Sequence, residues 1–133
     1  VILELQRATH ATLHALESRL AGLGLNASEI NVLANLADGI PRSVGELASD
    51  TATKPTTLTS VLDRLVRKGH VTRELDPADR RSFRVSLTAD GRRAAAASRA
   101  ALHDLERTAL AAIRDADLAG FRAVATALTQ IPR

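Results

Sequence analysis

Thr56, Thr57, Thr59 and Ser60 stand within five residues of one another, and Asp63, Arg64 and Arg67 follow. Short hydroxyls both donate and accept, and an arginine presents a planar fork of donors. Such a set suits phosphate oxygens and the base edges of a major groove. It does not suit helix stability, because Thr and Ser are mediocre helix formers. A second group comes at Asp79, Arg80 and Arg81, with Arg84 just beyond. Neutral residues would close a turn there equally well. Arginines at a hairpin tip fit insertion into a minor groove, where negative potential is focused. Lys54, before the first group, and Ser43, at the head of the preceding helix, complete the candidate DNA-contacting set.

These residues share a basic segment. Residues 54–93 hold ten Lys or Arg against five acids, a net +5, whereas the whole chain nets only +3. A basic centre between slightly acidic ends is a local footprint for a polyanion. Two Phe with no Tyr or Trp leave no stacking platform for single strands or RNA.

The elements needed to position them are legible from periodicity. Leu58, Val61, Leu62, Leu65 and Val66 recur as one stripe, so residues 55–68 form a helix with the hydroxyls and arginines on its opposite face. Pro55 suits its first turn and Gly69 its C-terminal cap. Ser43 and Glu46 have capping-box spacing and open a shorter helix, with Val44, Leu47 and Ala48 pointing inward and Asp50 to Thr53 as the turn. After Gly69 the period changes to two. Val71, Arg73 and Leu75 alternate with Thr72 and Glu74, and Phe83, Val85 and Leu87 with Ser82, Arg84 and Ser86. DPADRR between them is turn-rich, so the two strands form an antiparallel hairpin.

Helices flank this centre. Ile2, Leu5, Leu13, Leu16 and Leu20 mark a first helix, stopped by Gly22 and Gly24. Asn26 and Glu29 cap a second, whose buried face is Ile30, Leu33, Leu36 and Ala37. Thr88 caps a long helix over 89–113. Asp115 or Asp117 opens a last one, with Leu118, Phe121, Val124, Ala125 and Leu128 on one face. The terminal helices carry more apolar surface than the central unit can cover, which predicts a homodimer built through them.

Other chemistries find little support. With no cysteine, disulfides, thiolate metal sites and thiol redox sensing are excluded. His10 and His14 have the i, i+4 spacing of a chelating pair, but no acid stands at ligand spacing, so no metal and no cofactor is expected. No phosphate loop or nucleophile–base grouping points to an enzyme. No apolar run approaches a membrane span and VILELQ lacks the marks of a signal peptide, so a cytoplasmic protein is expected.

Two stretches, in order and at the right separation, resemble the MarR family of bacterial transcription regulators. LTSVLDRLVRKGHVTR is similar to the family's recognition helix running into its first wing strand, and DPADRRSFRVSLTADG to its wing. The resemblance covers roughly residues 26–93. It implies a mainly α fold with a small β-hairpin wing, a winged helix-turn-helix with N- and C-terminal dimerisation helices. The expected division is 1–25 for the first dimerisation helix, 26–88 for the DNA-binding domain and 89–133 for the C-terminal helices. It further implies a dimeric repressor on a near-palindromic double-stranded operator, released by a small anionic or phenolic ligand held between the dimer helices and the winged domain. Carried over by position, Thr56, Thr57 and Ser60 read bases, with Thr59 and Arg64 near the groove. Arg81 matches the wing arginine that enters the minor groove, Asp79 the acid that holds it by a salt bridge, and Arg80 and Arg84 face phosphates. The competing reading is a winged helix used for protein contact without DNA, which would have no need of an arginine at the wing tip.

Overall fold

The computed structural model describes residues 1–132; Arg133, the last residue of the expected C-terminal segment, lies outside the described residues. Its elements run α1 (Ile2–Arg19), a 3-10 turn (Ala21–Leu23), α2 (Ala27–Leu36), β1 (Arg42–Ser43), α3 (Val44–Asp50), α4 (Pro55–Arg67), β2 (Val71–Leu75), β3 (Phe83–Leu87), α5 (Ala89–Ala109) and α6 (Asp115–Thr129). The fold is mainly helical with one small antiparallel sheet, the architecture expected of a winged helix-turn-helix. Among the described residues no helix is long and apolar enough to cross a membrane.

The core forms where α2, α3, α4 and the sheet converge. Leu33, Leu47, Leu58, Leu62, Leu65 and Val85 are fully buried there. Leu16 and Leu20 of α1 and Ala94, Ala95 and Ala101 of α5 belong to the same cluster, so the flanking helices are packed into the winged unit. At Gly91 α5 runs so close to the α4–β2 turn that an added Cβ would lie 1.8 Å from the His70 carbonyl oxygen. Thr88 secures that approach: its hydroxyl donates to Gly69 O at 2.6 Å and accepts from the Gly91 N–H at 2.9 Å.

The caps follow the residues that the sequence offers. Asn26 accepts from the Glu29 N–H, and the Glu29 carboxylate accepts from the Asn26 N–H, closing a full capping box. Glu29 is also buried, and its other oxygen meets Lys68 Nζ at 2.6 Å; Lys68 donates to Gly24 O as well. This pair ties the end of α4 to the start of α2. A charge so buried is tolerable only with such partners. Gly69, at φ 77°, ends α4: its N–H donates to Val66 O and the His70 N–H to Leu65 O, a left-handed cap that satisfies two open carbonyls.

Several expectations need correction. The sheet has three strands, in the order β1-β3-β2, because Arg42 and Ser43 pair with Val85 and Arg84. Ser43 makes only half a capping box: its hydroxyl accepts from the Glu46 N–H at 3.1 Å, while no return bond from the Glu46 carboxylate to Ser43 N is formed. Asp50 is the last residue of α3, so the turn proper is Thr51 to Lys54. Val66 leaves the buried stripe and is 41% exposed. The long helix stops at Ala109, short of residue 113, whereas α6 does open at Asp115, after Arg114 as an N-cap that makes no side-chain bond.

Candidate nucleic-acid interface

Helix α4 is built as expected around a buried stripe of Leu58, Val61, Leu62 and Leu65. At 3.6 residues per turn, Thr56, Ser60, Asp63 and Arg67 then fall opposite that stripe. Thr57 and Arg64 lie on one flank, and Thr59 and Val66 on the other. All of these are exposed except Arg64, which is half-buried. Lys54 precedes the helix in extended backbone at φ −63°, ψ 140°, with Pro55 as its first residue. Ser43 caps α3, its oxygen already occupied by the Glu46 N–H.

The hydroxyls are not equivalent. Thr59 Oγ1 donates to Pro55 O at 2.9 Å, so its hydrogen is spent within the helix. Thr56, Thr57 and Ser60 make no side-chain hydrogen bond among the described residues, which leaves them free to donate and accept. The Arg64 Nε is buried without a partner.

In the hairpin, Val71 pairs with Leu87, Arg73 with Val85 and Leu75 with Phe83. The tip, residues 76–82, is folded by its own acids. Asp76 N donates to Ser82 O at 3.0 Å, and the Asp76 carboxylate accepts from the Ala78 N–H at 2.9 Å. Asp79 does the same two residues on, accepting from the Arg81 backbone N–H at 3.0 Å. This differs from the salt bridge expected for Asp79. Its carboxylate holds the backbone of Arg81, and the Arg81 guanidinium has no acid partner among the described residues. Arg84 sits opposite Glu74 in the sheet and lies 3.7 Å from Asp76, which offsets part of its charge.

The ion pairs sort the basic segment into two groups. Lys68, Arg73, Arg84 and Arg93 each meet an acid. Lys54, Arg64, Arg67, Arg80, Arg81 and Arg92 meet none among the described residues. Five of those six lie at the head of α4, along its outer face or at the hairpin tip. Within this segment, the unneutralised charge is therefore concentrated on the two elements that could reach adjacent grooves of a duplex.

Residue-type reasoning missed the groups that hold these two elements in place. Arg73 Nη1 lies 2.8 Å from the Asp63 carboxylate on α4, and its guanidinium stands 5.1 Å from the Phe83 ring centroid on β3. One side chain thus joins the helix to both wing strands. An arginine in the inward register, between Val71 and Leu75, was the available signal: a charge in that position requires a partner. Arg42 anchors the other edge of the sheet. It donates to Asp38 and to Asn35 O at 2.7 Å, and it lies 3.5 Å from Asp50. Its hydrogen bond, followed by the Ile40 N–H, holds the Asp38 carboxyl down at about 2. His10 and His14 stand exposed on α1, and no group of three or more potential ligands gathers among the described residues.

The MarR family model matches residues 23–82, which run from the 3-10 turn to the end of the wing tip. A curated relative, the HTH-type transcriptional repressor YetL of Bacillus subtilis (strain 168), is 32% identical over 81 residues, 59% of this chain. That stretch takes in 48% of the repressor, so the match spans about half of its length. Among solved structures, CouR from Rhodococcus jostii RHA1 bound to p-coumaroyl-CoA superposes with a TM-score of 0.84 at 24% identity, covering 97% of this chain and 91% of that one. Overoxidized AbfR bound to DNA gives 0.77 at 22% identity, over 96% and 88%. The match on the helix-turn-helix, the relative aligned with it and the fold shared over nearly the whole length agree in one respect: residues 23–82 of the chain are similar to the MarR family.

Proposed function

We propose that the protein is a sequence-specific double-stranded DNA-binding transcriptional regulator, a dimeric repressor acting in the cytoplasm and responsive to a small molecule. The observation that carries this reading is that five unpaired cations of the basic segment, Lys54, Arg64, Arg67, Arg80 and Arg81, lie at the head and outer face of α4 and at the wing tip. In that reading α4 enters a major groove, with Thr56, Thr57 and Ser60 at base edges and Lys54, Arg64 and Arg67 at phosphates. Arg81 enters the neighbouring minor groove and Arg80 meets its backbone. The family match over residues 23–82, with a repressor as relative and a DNA-bound protein as structural neighbour, supports it.

The dimer rests on surface left over by the fold. Residues 26–88 serve as the reading domain, and the helices on either side make the contact between copies. Leu5 and Ala8 of α1 and Phe121, Val124, Ala125 and Leu128 of α6 line an apolar groove, and Phe121 and Val124 are 56% and 44% exposed in the single chain. A second copy seated there would carry two α4 helices to half-sites about one DNA turn apart, roughly 34–36 Å, on a near-palindromic operator.

The test is fluorescence anisotropy with the DNA just upstream of the protein's own gene against a scrambled duplex, at several salt concentrations. Preferential binding that persists at physiological salt is expected. Weak binding equal on both duplexes would overturn this operator assignment and turn attention to protein contacts through the winged domain.

A further inference from the structure

Lys68 caps α4 directly after the exposed Arg67, yet its ammonium is directed into the molecule. Its Nζ lies 2.6 Å from Glu29 Oε2 and donates to Gly24 O at 2.7 Å. An ammonium on a flexible stem has three donors and can serve both acceptors at once. Glu29 is only 1% exposed, and its two oxygens are divided between partners. Oε1 accepts from the Asn26 N–H at 3.2 Å, and Oε2 meets Lys68. Gly24 ends the 3-10 turn between α1 and α2. From the other side, Glu17 of α1 accepts from the Ala27 N–H at 2.7 Å. A path of hydrogen bonds and short backbone therefore joins helix α1, the α1–α2 junction and the C-terminal end of α4.

Stability does not account for this choice of residues. An apolar pair of similar volume holds two packed ends as well or better, because burying a carboxylate is costly. What the charged pair adds is register. Apolar side chains can slide past one another, whereas a carboxylate already fixed through one oxygen admits the ammonium in one place. Helix α4 has 13 residues and is about 20 Å long. A tilt of about 10° at one end moves the other by roughly 3 Å, about the length of a hydrogen bond.

We propose that Lys68 and Glu29 are positioning residues for DNA recognition. Their pair fixes the end of α4 to the α1–α2 junction and so sets the separation of the two recognition helices in the dimer, while Lys68 itself touches no phosphate. This role rests on the proposed regulator reading. It predicts an unusual sign. Glu29→Gln keeps an acceptor for the Asn26 N–H and removes a negative charge, which by net charge alone would strengthen DNA binding. Loss of register makes it weaken.

Anisotropy titrations of the full chain on its operator should show Glu29→Gln weaker by on the order of tenfold, with an unchanged salt slope. Lys68→Met strands a buried carboxylate and is destabilising in its own right, so the companion is the double variant Glu29→Gln with Lys68→Met. It should lose the same factor as Glu29→Gln alone. On operators with the half-sites moved closer or further apart by a base pair, both variants should lose the parent's preference for one spacing. A second readout needs no DNA. The chain has no cysteine, so Val66→Cys, exposed on α4, takes a single spin label. The dipolar distance between copies should be narrow in the parent background and broad after Glu29→Gln. An affinity that holds or rises in Glu29→Gln, a slope that falls in the double variant, a retained spacing preference, or a label distance that is absent or does not broaden would each overturn the assignment. A parent that binds no operator would sink the regulator reading instead, and the label distance would still decide the role of the pair.

Discussion

Thr57 and Thr59 are both exposed on α4, but only one has its hydroxyl hydrogen to spare. Thr59 donates to Pro55 O, so its remaining value to a base edge is as an acceptor on the flank toward Val66. Thr57→Ala and Ser60→Ala should therefore each relax base preference at one position per half-site, whereas Thr59→Ala should leave the specificity ratio unchanged. Competition assays across single-base operator variants check all three. At the wing, Arg81→Ala should cost about 1–3 kcal/mol of DNA affinity. Asp79 separates two mechanisms. If its carboxylate works by accepting the Arg81 backbone N–H at 3.0 Å, Asp79→Asn keeps that acceptor and keeps near-full affinity, while Asp79→Ala loses the turn and approaches Arg81→Ala. A salt bridge to the guanidinium would make Asn nearly as damaging as Ala. The candidacy of these residues was readable from type and position, because exposed hydroxyls and tip arginines have few structural duties. Their bonding was not, since whether a carboxylate takes a backbone N–H or a side chain depends on the path of a seven-residue tip.

At the scale of elements, the turn between α3 and α4 contains a backbone cost. Ala52, in the turn two residues after the end of α3, has φ 50°, a left-handed conformation that suits glycine, while its neighbour Thr53 donates to Ala48 O. Ala52→Gly should stabilise the fold by roughly 0.5–1 kcal/mol, read as a higher urea midpoint with an unchanged slope. The β1 edge sets a pH limit. Asp38 is held well below the ordinary carboxylate range by Arg42, so it favours the folded state wherever the unfolded chain would still be ionised. That contribution is full above about pH 4 and disappears as pH falls toward 2. Asp38→Asn should lower stability at neutral pH, where that contribution is full, and flatten the fall in stability between about pH 4 and pH 2. The helices, their caps and both hairpin strands were legible because each carries a period and a punctuating residue. β1 was not: two residues have no period, and its pairing is set by Arg42 reaching Asp38, Asn35 and Asp50. The alternation puts Arg73 on the same face as Val71 and Leu75, but nothing local says that its partners would be Asp63 on α4 and the ring of Phe83.

For the whole molecule, the quantity that matters is how many phosphates one binding event engages. Apparent affinity falls with salt in proportion to the phosphates neutralised, at about 0.9 per phosphate on a log–log plot. In the proposed dimer each copy contributes the same free cations, from Lys54 through Arg81, so the slope for the pair is twice that of one copy on a half-site. Val124 offers a way to separate the two. It is 44% exposed in the α1–α6 groove and outside the buried core, so Val124→Glu should leave the monomer folded while placing a charge where the second copy would sit. Sedimentation should then show a monomer at concentrations where the parent protein is a dimer. Anisotropy titrations should give a salt slope close to half the parent value, with specific affinity reduced by far more than any single phosphate contact accounts for, because the linkage between half-sites is gone. A variant that sediments as a dimer with an unchanged slope would move the interface elsewhere on the molecule. A monomeric variant that kept the full slope would mean that one copy alone covers the operator, and the two-helix geometry would have to be abandoned.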